Sequence, residues 1–216
     1  MKKSVFIAIF SSFLFSLLLS TLSAQTKITT SNEMKTKHMD TIVLGLGCFW
    51  GAEKRFANIE GVIDSVSGYA DGSGFVPTYK NITQRKNQFN PDNYAEVVKV
   101  TFNPNQVSLE QLLQSFYEQH DPTLVNKQGN DIGTQYRSTI LYNNEQQKEI
   151  AIDVTREFQT LLTKAGFGEI STKIKPLEQF YPAESYHQDY LVKNPNGYCP
   201  DHSTGVVFNS PNKKNN

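Results

Sequence analysis

Cysteine is nearly absent from this chain: Cys48 and Cys199 are the only two in 216 residues. That excludes a small scaffold stapled by several disulfides. A zinc site built from Cys199, His202 and His187 lacks a fourth ligand at sensible spacing. An excess of either charge is missing too, with 21 Lys plus Arg against 21 Asp plus Glu. No basic field therefore exists to attract nucleic acid or anionic lipid, and a small or neutral ligand is expected. Internal repeats are absent. What is present is an ordered, globular composition, 38% hydrophobic and 12% aromatic, at a length that suits one sizeable domain.

The long apolar run lies at the N-terminus. Lys2 and Lys3 precede the serine-spotted stretch from Val5 to Leu22, and Ser23-Ala24 follow. This reads as a secretory signal over residues 1–24, cut after Ala24, with export to a bacterial periplasm or the extracellular space. The alternative is an uncleaved anchor, since the run is nearly long enough to span a bilayer. Residues 25–40 are polar and without periodicity, a flexible leader, and the Asn- and Lys-rich residues 209–216 read as a disordered tail. In an oxidising compartment Cys48 and Cys199 form by default one structural disulfide; the other reading is a redox pair that opens and closes in each turnover. Spacing leaves both open.

Cys48 sits in Gly45-Leu46-Gly47-Cys48-Phe49-Trp50-Gly51-Ala52-Glu53. Thr41 to Leu44 before it is a short apolar run suited to a buried strand, and Phe49, Ala52 and Phe56 after it recur at helical spacing. The thiol is thus expected at a strand-to-helix turn, where free backbone N–H groups stabilise a thiolate. Downstream, Gly61 to Gly68 alternates as a strand. A long irregular stretch follows from Ala70 to Asn93, of the kind that is functional or mobile. Its Asn81-Ile82-Thr83 matches a glycosylation acceptor by pattern only.

The clearest strand is Ala95 to Phe102, which places Glu96 on one face with Val98, Val100 and Phe102. Burial there would raise the carboxyl pKa and hold a proton on it; the plainer alternative is a strand-end glutamate that reaches solvent. Ser108 and Gln111 form a capping box for a helix with Leu109, Leu112, Leu113 and Phe116 as its stripe. Ser138 to Tyr142 reads as a strand. Asn144 caps a long helix with Ile150, Val154, Phe158, Leu161 and Leu162 inward and Gly166 as its stop. Ile170 to Ile174 is a short strand and His187 to Tyr190 a short helix. Cys199 then falls in a Pro/Gly segment with freedom to swing. Strands and helices interleaved around long loops imply an α+β fold, a sheet layered with helices.

Several blocks are more specific than these patterns. Gly47-Cys48-Phe49-Trp50-Gly51-Ala52-Glu53 resembles the active-site signature of the A-type peptide methionine sulfoxide reductases. Further blocks follow in the family's order: Gly68-Tyr69-Ala70, Pro77-Thr78-Tyr79, Ala95-Glu96-Val97-Val98, His120-Asp121-Pro122-Thr123, Gly129 through Ser138, Tyr186-His187-Gln188 and Gly197-Tyr198-Cys199. The resemblance implies a catalytic domain over residues 41–208, a mixed sheet with a ferredoxin-like core, and reduction of the S epimer of methionine sulfoxide in proteins and as the free amino acid.

By the same resemblance Cys48 attacks the sulfoxide sulfur and becomes a sulfenic acid, Glu96 is the acid, and Cys199 resolves the sulfenic acid as a disulfide. Phe49 and Trp50 form the pocket for the substrate methyl. Tyr79 and Tyr136 donate to the sulfoxide oxygen, and Asp131 orients water and substrate. A thioredoxin-like partner reduces the disulfide. No metal or organic cofactor, nucleic acid or stable membrane association after signal cleavage is expected, and the chain is expected to be a monomer.

Three departures stand out. Tyr94 occupies a position where family members usually carry histidine, Asn87 to Asn93 looks inserted, and a further tail cysteine found in many relatives is absent. Two other classes compete from the residues alone: Cys-His acyl transfer using His120 or His187, and a secreted binding module with a static Cys48–Cys199 disulfide.

Overall fold

The computed structural model describes residues 39–208; the expected signal, the tail and all but the last two residues of the leader lie outside them. The elements in chain order are β1 (Asp40–Gly45), α1 (Phe49–Ala57), β2 (Val62–Ala70), α2 (Tyr79–Ile82), β3 (Ala95–Phe102), α3 (Leu109–Glu118), β4 (Lys127–Gln128), β5 (Asp131–Ile132), β6 (Thr139–Tyr142), α4 (Glu145–Lys164), β7 (Lys173–Pro176), β8 (Phe180–Pro182) and α5 (Tyr190–Lys193). Six strands form one sheet in the order β7-β6-β1-β3-β2-β8, with only the β6–β7 pair parallel. Within it β1-α1-β2-β3-α3-β6 lay down the spatial order β6-β1-β3-β2, the split β-α-β pattern of a ferredoxin-like core.

The continuous apolar run of β1 has a direct cause. Ile42 and Leu44 face the main core with Phe56, Leu112 and Phe158, while Val43 joins Val97, Ala70, Ala95 and Leu141 on the other face, covered by Leu177 and Phe180. A strand buried on both faces needs no polar alternation. In β3 the expected face is the one observed, with Val98, Val100 and Phe102 in the main core. In β2 a register irregularity between Val62 and Asp64 resets the alternation, so that Ser65 and Ser67 turn inward.

The helices follow their caps. Ser108 and Gln111 close the capping box of α3, Asn144 accepts from the Gln147 amide at the start of α4, and Gly166 takes φ +85° beyond its end. The buried face of α4 is Gln147, Ala151, Val154, Phe158 and Leu162, so Ile150 and Leu161 lie at its edge rather than its centre. The strand expected at 170–174 begins later, at Lys173. The short helix expected at His187 begins at Tyr190, because Asp189 takes φ +52° and gives its N–H to Glu53. Among the described residues no helix is long and apolar enough to cross a membrane.

Candidate active site

Cys48 is the N-cap of α1, and the turn that delivers it from β1 depends on Gly47 at φ +97°. A Cβ on Gly47 would lie 2.9 Å from Gln128 Cγ, so a side chain there would displace the buried Gln128. The expectation of a stabilised thiolate needs correcting. The Trp50 and Gly51 amides do lower the Cys48 pKa, but burial first and the Glu96 charge second outweigh them and hold the thiol well above its ordinary value. The resting group is a protonated thiol.

Glu96 is 2% exposed, which removes the solvent-reaching alternative. The Phe49 N–H donates to its Oε2 at 3.2 Å, so the first amide of α1 is spent on the acid and not on the thiol. Burial, with a further contribution from Asp131, pushes the Glu96 carboxyl up to about 8. With Oε2 taken by an N–H, the acid proton is placed on Oε1.

The tyrosines complete the cluster. Thr78 caps α2 and thereby sets Tyr79 as its first residue, whose N–H donates to Glu184 Oε1 at 2.9 Å. Tyr136 ends the 3-10 turn Thr134–Tyr136. Burial raises both phenols, Tyr79 to about 12, and for each the next cause is the Glu96 charge, with Cys48 and Asp131 also acting. Two neutral O–H donors, a protonated carboxyl and a thiol therefore lie within electrostatic reach of one another. Asp131, in β5, is half-buried with its carboxyl raised by burial, and its Oδ2 has no hydrogen-bond partner among the described residues.

Phe49 is 1% exposed, packed on Tyr69 at 5.9 Å and His187 at 4.9 Å between ring centroids. Trp50 is half-buried, stacked on Tyr190 at 3.9 Å and 14°, and its indole N–H donates to His187 Nδ1 at 3.0 Å. The pair thus forms a fixed apolar wall. Cys199 is exposed, its thiol free like that of Cys48, and both line one small cleft with Gly51, Arg55 and His202. A Cβ on Gly51 would lie 3.2 Å from Cys199 Sγ, and Arg55 donates to the Pro200 carbonyl at 3.2 Å. The second sulfur therefore sits over the first turn of α1.

Sequence reasoning missed the supporting carboxylates. Glu184 holds the Tyr79 amide and accepts from the Tyr69 hydroxyl at 2.7 Å; Glu53 accepts from Ser67 and Asp189 amides at 3.3 and 2.8 Å. Their signal was present, since Glu53 closes the Cys48 block and Glu184 lies just before Tyr186-His187-Gln188. His120 is fully buried, bonded to the Phe116 carbonyl and Ser138 Oγ, with its pKa lowered by burial to about 4. It serves the core, which leaves no role in acyl transfer. Tyr94 turns its ring onto Phe75 and Tyr181, at 5.3 and 5.7 Å, and not onto the cluster. Among the described residues no group of three or more His, Cys, Asp or Glu is gathered to hold a metal.

The family model described as peptide methionine sulfoxide reductase matches residues 40–214. Peptide methionine sulfoxide reductase MsrA 1 of Synechocystis is 49% identical over 169 residues, 78% of this chain and 74% of that one. The human mitochondrial peptide methionine sulfoxide reductase is 47% identical over 164 residues, 76% and 68%. Among solved structures, methionine sulfoxide reductase A of Corynebacterium diphtheriae superposes with a TM-score of 0.69 at 41% identity, covering 82% of this chain and 85% of that one. Yeast Mxr1 in reduced form gives 0.68 at 35%, covering 79% and 93%. With its thiol, buried acid and paired tyrosines around one fold of that kind, this chain belongs to the A-type peptide methionine sulfoxide reductase family and is an oxidoreductase of methionine sulfoxide.

Proposed function

We propose that the chain reduces the S epimer of methionine sulfoxide, in peptides and as the free amino acid, through a Cys48 sulfenic acid and a Cys48–Cys199 disulfide. The observation that carries this reading is the buried Glu96 carboxyl, bound by the Phe49 N–H at the same helix start that Cys48 caps. Glu96 gives its proton to the sulfoxide oxygen while Tyr79 and Tyr136 donate hydrogen bonds to it, and the sulfur becomes electrophilic. Cys48 attacks as its thiol proton passes to the Glu96 carboxylate. The oxygen and one proton end on Cys48, methionine leaves reduced by two electrons, and the acid is restored.

Cys199 then attacks the sulfenic acid, forming the disulfide and water. Phe49 and Trp50 enclose the methyl. The disulfide would form at the exposed Cys199, where a thioredoxin-like dithiol reaches it. The N-terminal run supports export, and the protein would then repair oxidised exported proteins as a monomer. The test is turnover of separated epimers without external thiol. Cys199→Ser is expected to release about one methionine per enzyme and stop, and Cys48→Ser none. Multiple turnover by Cys48→Ser, or reduction of the R epimer alone, overturns the reading.

A further inference from the structure

A cleft of about 390 Å3 continues outward from the catalytic cluster. Tyr79, Asp131 and Tyr136 line its inner part and Thr83, Arg85 and Gln88 its outer part. The outer wall belongs to the Asn-rich stretch, and it is a built structure. Asn87 donates to the Asn81 carbonyl at 2.8 Å, and Asn93 to the carbonyls of Ile82 and Asn87 at 3.0 and 3.1 Å. Gln88 is fastened across the cleft, its side-chain amide donating to the Ile132 carbonyl at 3.1 Å and its carbonyl accepting from Thr134 N–H at 2.8 Å.

Arg85 opens the 3-10 turn of this wall, Arg85–Asn87, and is exposed. Among the described residues its guanidinium has no ion pair or hydrogen bond. From Gly72 to Pro91 the chain carries Lys80, Arg85 and Lys86 and no acidic residue, so this rim is basic on a molecule whose formal charge is zero. A cleft that joins Tyr79 and Tyr136 to a free cation fits a peptide that extends from the sulfoxide and whose side-chain carboxylate meets Arg85.

We propose that this cleft is a subsite for the residue flanking methionine sulfoxide in a peptide, and that Arg85 makes it selective for an acidic side chain there. The proposal rests on the reductase reading above and adds the class of peptide preferred. Three blocked pentapeptides centred on methionine sulfoxide separate the two: one flanked by alanines, one with glutamate just before the sulfoxide, and one with glutamate just after it.

The wild-type enzyme is expected to favour one glutamate peptide over the alanine peptide by about threefold in kcat/KM, the range of a solvent-screened ion pair. The ratio should decay toward one as salt is raised from about 0.02 to about 0.5 M. In Arg85→Ala the ratio falls to about one, and in Arg85→Glu it inverts. An acidic preference that survives Arg85→Glu overturns the proposal, as does a wild-type enzyme that treats all three peptides alike. If no peptide is reduced, the reductase reading falls, and the subsite falls with it.

Discussion

At the scale of single residues, Glu96 sets the pH behaviour of both activity and stability. Its carboxyl is held to about 8 in the folded protein against 4.5 ordinarily, so roughly nine-tenths of it is protonated at pH 7. The acid is available below about 8 and is lost as pH rises through that value, so methionine release in a single turnover should decline above pH 8. Glu96→Gln keeps an N–H donor but no transferable proton. It should cost about a hundredfold or more in that rate and abolish the decline.

The stability term also falls with rising pH, but over a lower window. Between 4.5 and about 8 the folded chain binds a proton that the unfolded chain has released, so this term makes stability fall as pH rises across the window. Glutamine removes it, and Glu96→Gln should melt higher than wild type at pH 7.5 in a thermal scan while being slower. A lower melting temperature would show that the buried acid is not held against a protonation cost. Cys48 shows why such values escape sequence reasoning. The helix start is legible from Phe49, Ala52 and Phe56, but the burial and the Glu96 charge that keep the thiol protonated come from elements distant in the chain.

At the scale of elements, regular periodicity predicted well where packing agreed with it. The strand around Val98 and Val100 and the helix capped by Ser108 lie where their patterns put them. Patterns failed where a tertiary partner intervened: the irregularity after Val62 turned Ser67 inward, and the Glu53 carboxylate delayed α5 by claiming the Asp189 amide. The loop from Ala70 to Asn93 was illegible for another reason, because its order comes from Asn side chains bonding to backbone, which has no period.

Helix α1 carries a conflict between local stability and chemistry that can be tested. Gly51 lies in its first turn, where alanine is favoured over glycine by up to about 1 kcal/mol, yet the added Cβ would meet Cys199 Sγ at 3.2 Å. Gly51→Ala should therefore raise the melting temperature while slowing formation of the Cys48–Cys199 disulfide, followed as loss of free thiols after one turnover with sulfoxide. Unchanged disulfide kinetics would mean that Cys199 does not approach over Gly51.

At the scale of the whole molecule, the segment bearing Cys199 is not a loose end. Upstream it leaves α5, whose Tyr190 stacks on Trp50 and whose Leu191 is 3% exposed. Downstream it returns to the core at Phe208, also 3% exposed, which stacks on Phe158 at 5.0 Å while its N–H donates to Glu118 Oε1 at 2.8 Å. The freedom expected of the Pro/Gly sequence is therefore confined between two anchors, one against the substrate wall and one against α3 and α4. A thiol tethered at both ends meets its partner at a high effective concentration, without folding energy invested in one fixed geometry.

Phe208→Ala removes the downstream anchor. The lost packing should destabilise the domain by about 3 kcal/mol, so the comparison belongs well below its melting temperature. Methionine release in the first turnover should persist, because Cys48, Glu96 and the tyrosines are positioned by β1, β3, α2 and the Thr134–Tyr136 turn. Closure of the disulfide should slow by about threefold or more as the arm samples a larger volume, and dithiothreitol, which reduces a sulfenic acid directly, should restore steady-state turnover. Rapid-quench thiol counting beside methionine release separates the two steps. Equal slowing of both would show that Phe208 supports the reaction centre itself and not the reach of Cys199.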